Sequence, residues 1–222
     1  MTFSAIIFDM DGLLVDSEPL WYEVETAIIE SHGYTYEDQV RESTIGLRVD
    51  EFARIIYENY PRVADTSKGV AQAVMDGMTS LPREKIKTRP GANEIIRYVA
   101  EQNIPCAIAS SSLTVIIEHF VEMMGWADLI PHRFSAEFME RGKPAPDIYL
   151  HTAQQLGVDP KKCLALEDSR AGTQAALAAG MTCYTVPDLS YAKLTDFEGV
   201  NDNIYNSLHD VLQDLKTKRL FN

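Results

Sequence analysis

Three stretches of this chain are apolar for several consecutive residues and then end abruptly in polar ones: "SAIIFD" (4–9), "PCAIAS" (105–110) and "KCLALED" (162–168). Such runs do not alternate, so neither face of the strand they form can look onto water. They suit a parallel sheet covered on both sides by helices. "HRFSA" (132–136) and "MTCYTV" (181–186) read as two more strands, the former from its position more than its pattern. The segments between carry helical spacing. "GANEIIRYVAEQN" sets Ile95, Ile96 and Val99 on one side, and "LTVIIEHFVEMM" does the same with Ile116, Phe120 and Met123. "APDIYLHTAQQLG" and "SRAGTQAALAAG" end in glycines suited to a helix carboxyl end. The expectation is an α/β, Rossmann-like parallel-sheet core with right-handed crossovers, in which ligands bind at the carboxyl ends of the strands.

One region breaks the alternation. "PLWYEVETAIIESHG", "VDEFARIIYENYPRV" and "TSKGVAQAVMDGMTS" follow the first strand and read as amphipathic helices. The expected organisation is a core of residues 1–16 and 88–222 with an all-helical cap domain, residues 17–87, inserted above the active edge as a lid or a rigid accessory. The tail, "DNIYNSLHDVLQDLKTKRLFN", predicts a last helix from about Ser207. Leu208, Val211, Leu212 and Leu215 form its apolar face, and Lys216, Lys218 and Arg219 suit its carboxyl end.

Charge narrows the partners. With 20 Lys+Arg against 33 Asp+Glu the formal net charge is −13, which disfavours nucleic acid and anionic membrane surfaces. An anionic small molecule needs local positive groups. The opening "MTFSAIIFDMD" has no basic region leading into a long apolar run, and no apolar stretch approaches about 18 residues, so a cytoplasmic monomer is expected. Cys106, Cys163 and Cys183 are far apart, lie in apolar segments and read as buried thiols of a reducing compartment.

The polar strand ends carry the chemistry. In "IIFDMDGLLV", Asp9 and Asp11 follow the first strand and Gly12 permits a tight turn. Glu167 and Asp168 follow "CLAL", so the fold brings four carboxylates to one sheet edge, where they repel unless a cation joins them. All-oxygen ligands favour Mg²⁺. "IASSSLT" sets Ser110, Ser111 and Ser112 before a helix, where hydroxyls and free amides suit a phosphate oxygen, although a plain serine cap accounts for one of them. "RGKPAPD" supplies Lys143 in a loop stiffened by Pro144 and Pro146.

Together "FDMDG", the serine of "IASSS", the lysine of "GKPAPD" and the acidic pair of "LEDSRAG" resemble the four motifs of the haloacid dehalogenase superfamily. The early helical insertion resembles the cap of its beta-phosphoglucomutase-like branch. "DMDGLLVDSEPLW", "TIGLRVD" and "TRPGANEII" are similar to phosphatases of 2-deoxyglucose 6-phosphate and hexitol phosphates. The resemblance implies that Asp9 attacks phosphorus to form an aspartyl-phosphate. Asp11 would protonate the leaving alcohol and then activate water. Ser110 would hold a phosphoryl oxygen and Lys143 would offset charge. Mg²⁺ would be held by Asp9, the Asp11 backbone carbonyl and Asp168, with Glu167 a direct or water-mediated ligand. The implied substrate is a small phosphorylated carbohydrate or polyol, 2-deoxyglucose 6-phosphate being the first candidate.

Two alternatives are disfavoured and two stay open. Dehalogenation has no use for an alcohol-protonating Asp11, and phosphonate hydrolysis needs a cap lysine where "TIGLRVD" carries Arg48. A beta-phosphoglucomutase-like phosphotransferase would have a histidine where this chain has Trp21. A non-enzymatic metabolite-binding protein would keep the fold without turnover. Glu18, Trp21, Arg48 and Ser112 are the candidate substrate contacts, against an exposed helix charge, a cap anchor, a structural ion pair and a helix cap.

Overall fold

The computed structural model describes residues 2–218 and 220–221. Its centre is one parallel sheet of β1 (Ala5–Phe8), β2 (Cys106–Ser110), β3 (His132–Ser135), β4 (Cys163–Glu167) and β5 (Thr182–Thr185), in the order β3-β2-β1-β4-β5. The expected runs are all strands, each trimmed at one or both ends. In register, Phe8 lies beside Ile108 on one side and Leu166 on the other. Asp9 and Glu167 therefore leave the sheet at the same edge, beside Ser110.

Side chains of successive strand residues face opposite ways. Ile6 and Phe8 join the core formed with α5 (Ala92–Glu101), α6 (Thr114–Met124) and α9 (Leu208–Lys218). Ala5 and Ile7 join the core under α7 (Asp147–Leu156) and α8 (Arg170–Ala178). In α9 the residues expected inside, Leu208, Val211, Leu212 and Leu215, are buried; Arg219 lies outside the described residues. All three cysteines are free and buried.

Between β1 and α5 lie α1 (Glu18–Ser31), α2 (Asp38–Thr44), α3 (Val49–Asn59) and α4 (Ser67–Thr79). Leu20, Val24, Phe52, Ile56 and Val70 of this helical segment share one apolar cluster with Met10, Leu13 and Leu14 below it. The segment is thus packed onto the sheet domain rather than hung from it, and α4 rests on α6. The chain leaves at Val15 and returns at Thr88, two residues that bridge antiparallel. Beside that crossing Arg89 pairs with Asp16 at 3.5 Å and with Asp188 at 3.1 Å. No helix among the described residues is long and apolar enough to cross a membrane.

Candidate active site

Asp9, Glu167 and Asp168 bring carboxylate oxygens within 4.8 Å of one another at the strand ends. One cation stands among them. Lys143 Nζ donates to Asp9 Oδ1 at 2.5 Å and to Glu167 Oε1 at 2.6 Å, with its side chain only 4% exposed. Burial alone would depress this ammonium, but Asp9 and Glu167 outweigh it and hold its pKa above the ordinary lysine range. Burial pushes the Asp9 carboxyl well above its usual value; Lys143 pulls it back, while Glu167 and Asp11 push further up. Asp168 is raised in the same way, by burial and then by Glu167 and Asp9. A set of hard oxygens that lone Lys143 does not neutralise is the donor set a divalent cation fits.

Glu167 is held by protein donors on both of its oxygens. Its Oε1 accepts from Lys143 and from the buried Tyr149 hydroxyl at 2.7 Å. Its Oε2 accepts from the Asp168 and Ser169 amides and from Ser169 Oγ, at 3.1–3.2 Å. The turn around it is equally tight: a Cβ on Gly172 would lie 1.8 Å from Oε1. Gly12 does the same service for Asp168, with φ +75° and no space for a Cβ, which would sit 2.2 Å from an Asp168 oxygen.

Asp11 is fixed by three donors. Trp21 Nε1 donates to Oδ1 at 3.1 Å; Ser110 Oγ and Ser112 Oγ donate to Oδ2 at 3.0 and 2.8 Å. These contacts alter the expected division of labour among the serines. The Ser110 hydroxyl, expected on phosphate, is fully buried and turned to Asp11, because the strand end places it under that carboxylate. Ser112, expected on substrate, is also buried and serves Asp11 while lining the cavity wall. Ser111 is the one that lines both cavities next to Asp11.

Two connected spaces meet at Asp11. One holds Asp9, Lys143, Asp168 and Ser169. The other runs into the helical segment between Trp21, Glu25, Arg41 and Phe52. Glu18 lines both, and burial followed by the Asp11 charge lifts its pKa to about 7. Arg48 lines neither among their described walls. Its guanidinium donates to the backbone carbonyl of Met139 at 2.7 Å and to Asp50 at 2.9 Å, so its position is that of a brace between α3 and the loop after β3. The cap arginine that does face the cleft is Arg41, stacked 4.3 Å from the Tyr22 ring centre. Sequence reading passed over it because "DQVREST" has one apolar residue and no helical stripe. Glu25 was also passed over, although its place seven residues after Glu18 puts both on one face of α1. Tyr149 carried no signal at all.

Comparison with known proteins agrees with this constellation. The family model for haloacid dehalogenase-like hydrolases matches residues 6–186. The chain is 37% identical over 184 residues to hexitol phosphatase B of Escherichia coli strain K12, covering 82% of this chain and 83% of that protein. It is 30% identical to the phosphorylated carbohydrates phosphatase of Thermotoga maritima, covering 80% and 82%. Among solved structures, a HAD family hydrolase from Deinococcus radiodurans with bound phosphate and sodium superposes with a TM-score of 0.74 at 25% identity, covering 99% and 98%. An aspartate-bearing strand end, a lysine shared by two carboxylates and a family match across both halves of the sheet make this chain a member of the haloacid dehalogenase-like hydrolases.

Proposed function

We propose that this chain is a Mg²⁺-dependent phosphatase of small sugar or polyol phosphate monoesters, acting through an aspartyl-phosphate. The observation that carries the reading is the pairing of two unlike aspartates across one cavity: Asp9 bound by Lys143, Asp11 bound by Trp21, Ser110 and Ser112. The names of relatives that act on hexitol phosphates and phosphorylated carbohydrates support the substrate class.

In this mechanism Asp9 attacks phosphorus in line with the ester oxygen, forming the Asp9–phosphorus bond as the bond to the alcohol breaks. Asp11 gives its proton to the departing alkoxide. It then takes a proton from the water that attacks phosphorus and restores Asp9. The three donors around Asp11 hold its carboxyl group in place beside the cavity. For the acid form, the Ser110 and Ser112 hydroxyls need only rotate. Lys143 holds the Asp9 oxygen and offsets the charge that builds beside it, and Ser111 with the α6 amino end faces the phosphoryl oxygens. Asp9, the Asp11 carbonyl and Asp168 would hold Mg²⁺, which when bound supplies charge neutralisation for phosphate and carboxylates together. Glu167, with five donors already on it, acts by fixing Lys143 and the Asp168 turn. Residues 17–87 serve as the cap, which excludes bulk water and shapes the space for the leaving alcohol.

The test is a comparison of kcat/KM across sugar and polyol phosphates with Mg²⁺, read as phosphate release. It includes beta-glucose 1-phosphate with glucose 1,6-bisphosphate. Phosphate release dominating across the panel is expected. Isomerisation outrunning release would make the chain a mutase, and no turnover on any ester would leave a binding protein.

A further inference from the structure

The second cavity continues past Asp11 into the helical segment, and its far end is chemically unlike its near end. Glu18, Tyr22 and Glu25 project from one face of α1, and Glu25 stands two helical turns, roughly 10 Å, beyond Glu18. That is comparable to the reach of an extended six-carbon chain with its phosphoester. Glu25 is a carboxylate in an apolar place, only 9% exposed. The Tyr36 hydroxyl donates to its Oε2 at 2.9 Å, and Tyr36 is in turn 3.3 Å from Thr44 Oγ1. Among the described residues no group donates to Oε1. Arg41 completes the set. Its guanidinium lies between the rings of Tyr22 and Tyr191, 4.3 and 5.8 Å from their centres, and among the described residues it has neither a salt bridge nor a side-chain hydrogen bond.

We propose that Glu25 and Arg41 are specificity-determining residues that read the hydroxyls at the end of the leaving alcohol remote from phosphorus, and that they exclude esters carrying a second anion there. The inference rests on the phosphatase reading above and names the kind of alcohol that site accepts. A polyol chain presents donors and acceptors on every carbon, which Glu25 Oε1 and the free guanidinium N–H groups can match in turn. A terminal carboxylate meets a different balance. At pH 8, above the value of about 7 to which burial lifts both groups, the Glu18 and Glu25 carboxylates together outnumber Arg41, and a buried carboxylate facing another anion loses its hydrogen-bond partner and gains repulsion. The Trp21 and Phe52 rings supply the apolar side that a carbohydrate chain also has.

The matched probes are sorbitol 6-phosphate and 6-phosphogluconate, equal in chain length and differing at the far end as alcohol and carboxylate. With Mg²⁺ at pH 8, where Glu25 is ionised, the wild-type kcat/KM is expected to favour the polyol by about 30-fold or more, the scale of a charge-assisted hydrogen bond gained or lost. Glu25→Gln keeps the shape, removes the charge, and is expected to shrink that ratio about tenfold. A ratio cancels any general loss of activity. Arg41→Gln is expected to raise KM for the polyol more than it lowers kcat. Turnover of both esters at similar rates by the wild-type chain overturns the proposal whether or not the variants fold. A ratio unchanged in Glu25→Gln overturns it as well. Ethyl phosphate is run alongside, since it has no remote end. If even this ester releases no phosphate, the hydrolase reading has failed and the specificity proposal falls with it; if it turns over while the ratio is flat, the specificity proposal alone is wrong.

Discussion

The two ends of the cleft are built on opposite plans. At the phosphoryl end, Asp9, Lys143 and Glu167 come from three separate stretches of chain, are buried, and are bonded to one another. At the cap end, Glu18 and Glu25 share one helix, Arg41 stands on the next, and the guanidinium is held by ring faces rather than by a carboxylate. The first arrangement depends on the whole sheet being in register, and one missing member strands a buried charge. The second hangs on local helix geometry and keeps unused hydrogen-bonding groups. On the proposed reading, chemistry that must not vary is placed where nothing can be changed alone, and selectivity where single side chains can be.

Substitutions at the two ends are therefore expected to differ in kind. The largest effect is expected for Asp9→Asn, which should lower phosphate release by roughly 10⁴-fold or more with little change in fold, since the amide cannot form the phosphoryl bond. A steady-state assay with a circular dichroism control checks it, and retained turnover would move the nucleophile elsewhere. Lys143→Met comes next and acts on both activity and stability. It leaves Asp9 and Glu167 buried without their cation, a loss expected at about 3–5 kcal/mol in urea unfolding. A loss in activity alone would show that the strand ends tolerate the uncompensated charge, and would weaken the distinction drawn between the two ends.

The same contrast explains what could be foreseen. β1, β2 and β4 were legible because both faces of each are covered, which leaves an unbroken apolar run. Asp9, Lys143 and Asp168 were legible because motif residues at strand ends are fixed by the fold. Their hydrogen-bond partners were not. Ser110 reaches Asp11 across 99 positions and Ser112 across 101, and nothing local in "IASSS" says which hydroxyl turns inward. The five donors on Glu167 gave no local signal because they are spread over three separate places in the chain. At the cap end, α2 was missed for want of an apolar stripe, and Arg41 was missed with it. Arg48 was noticed and given a share of substrate contact, yet its side chain bonds to the core backbone instead.

A smaller effect separates selectivity from stability. Burial lifts the Glu25 pKa from 4.5 to about 7, the Tyr36 hydrogen bond offsetting part of the rise. A carboxyl raised in the folded state binds its proton more tightly there than when unfolded. Its contribution is therefore full below pH 4.5 and is lost as pH climbs through about 7. Glu25→Gln removes this loss. Relative to wild type, the variant should gain stability between pH 5 and pH 8, by up to about 3 kcal/mol, even as its preference for the polyol ester weakens. Thermal melts of both proteins at the two pH values check this, and the difference between them cancels the titration of Asp9, Glu18 and Asp168. A parallel pH response would mean that Glu25 is already solvated through the cleft.

The smallest expected change distinguishes a brace from a contact. Arg48 is 11% exposed and ties α3 to the loop after β3 through the Met139 carbonyl at 2.7 Å and the longer Ala136 bond at 3.4 Å. Arg48→Ala removes these ties and leaves the Met139 carbonyl short of its donor, while the Ala136 carbonyl keeps the Met139 amide, a loss of about 1–2 kcal/mol in urea unfolding. As a brace, Arg48 would affect all esters alike, because the cap would sit less firmly over both ends of the cleft. As a substrate contact it would raise KM for polyol esters and spare ethyl phosphate, with stability unchanged. The location of Arg48 outside both described cavity walls favours the uniform loss. Adding Arg48→Ala to Glu25→Gln should then give additive effects on the polyol-to-acid ratio, since a brace carries none of the selectivity that Glu25 does.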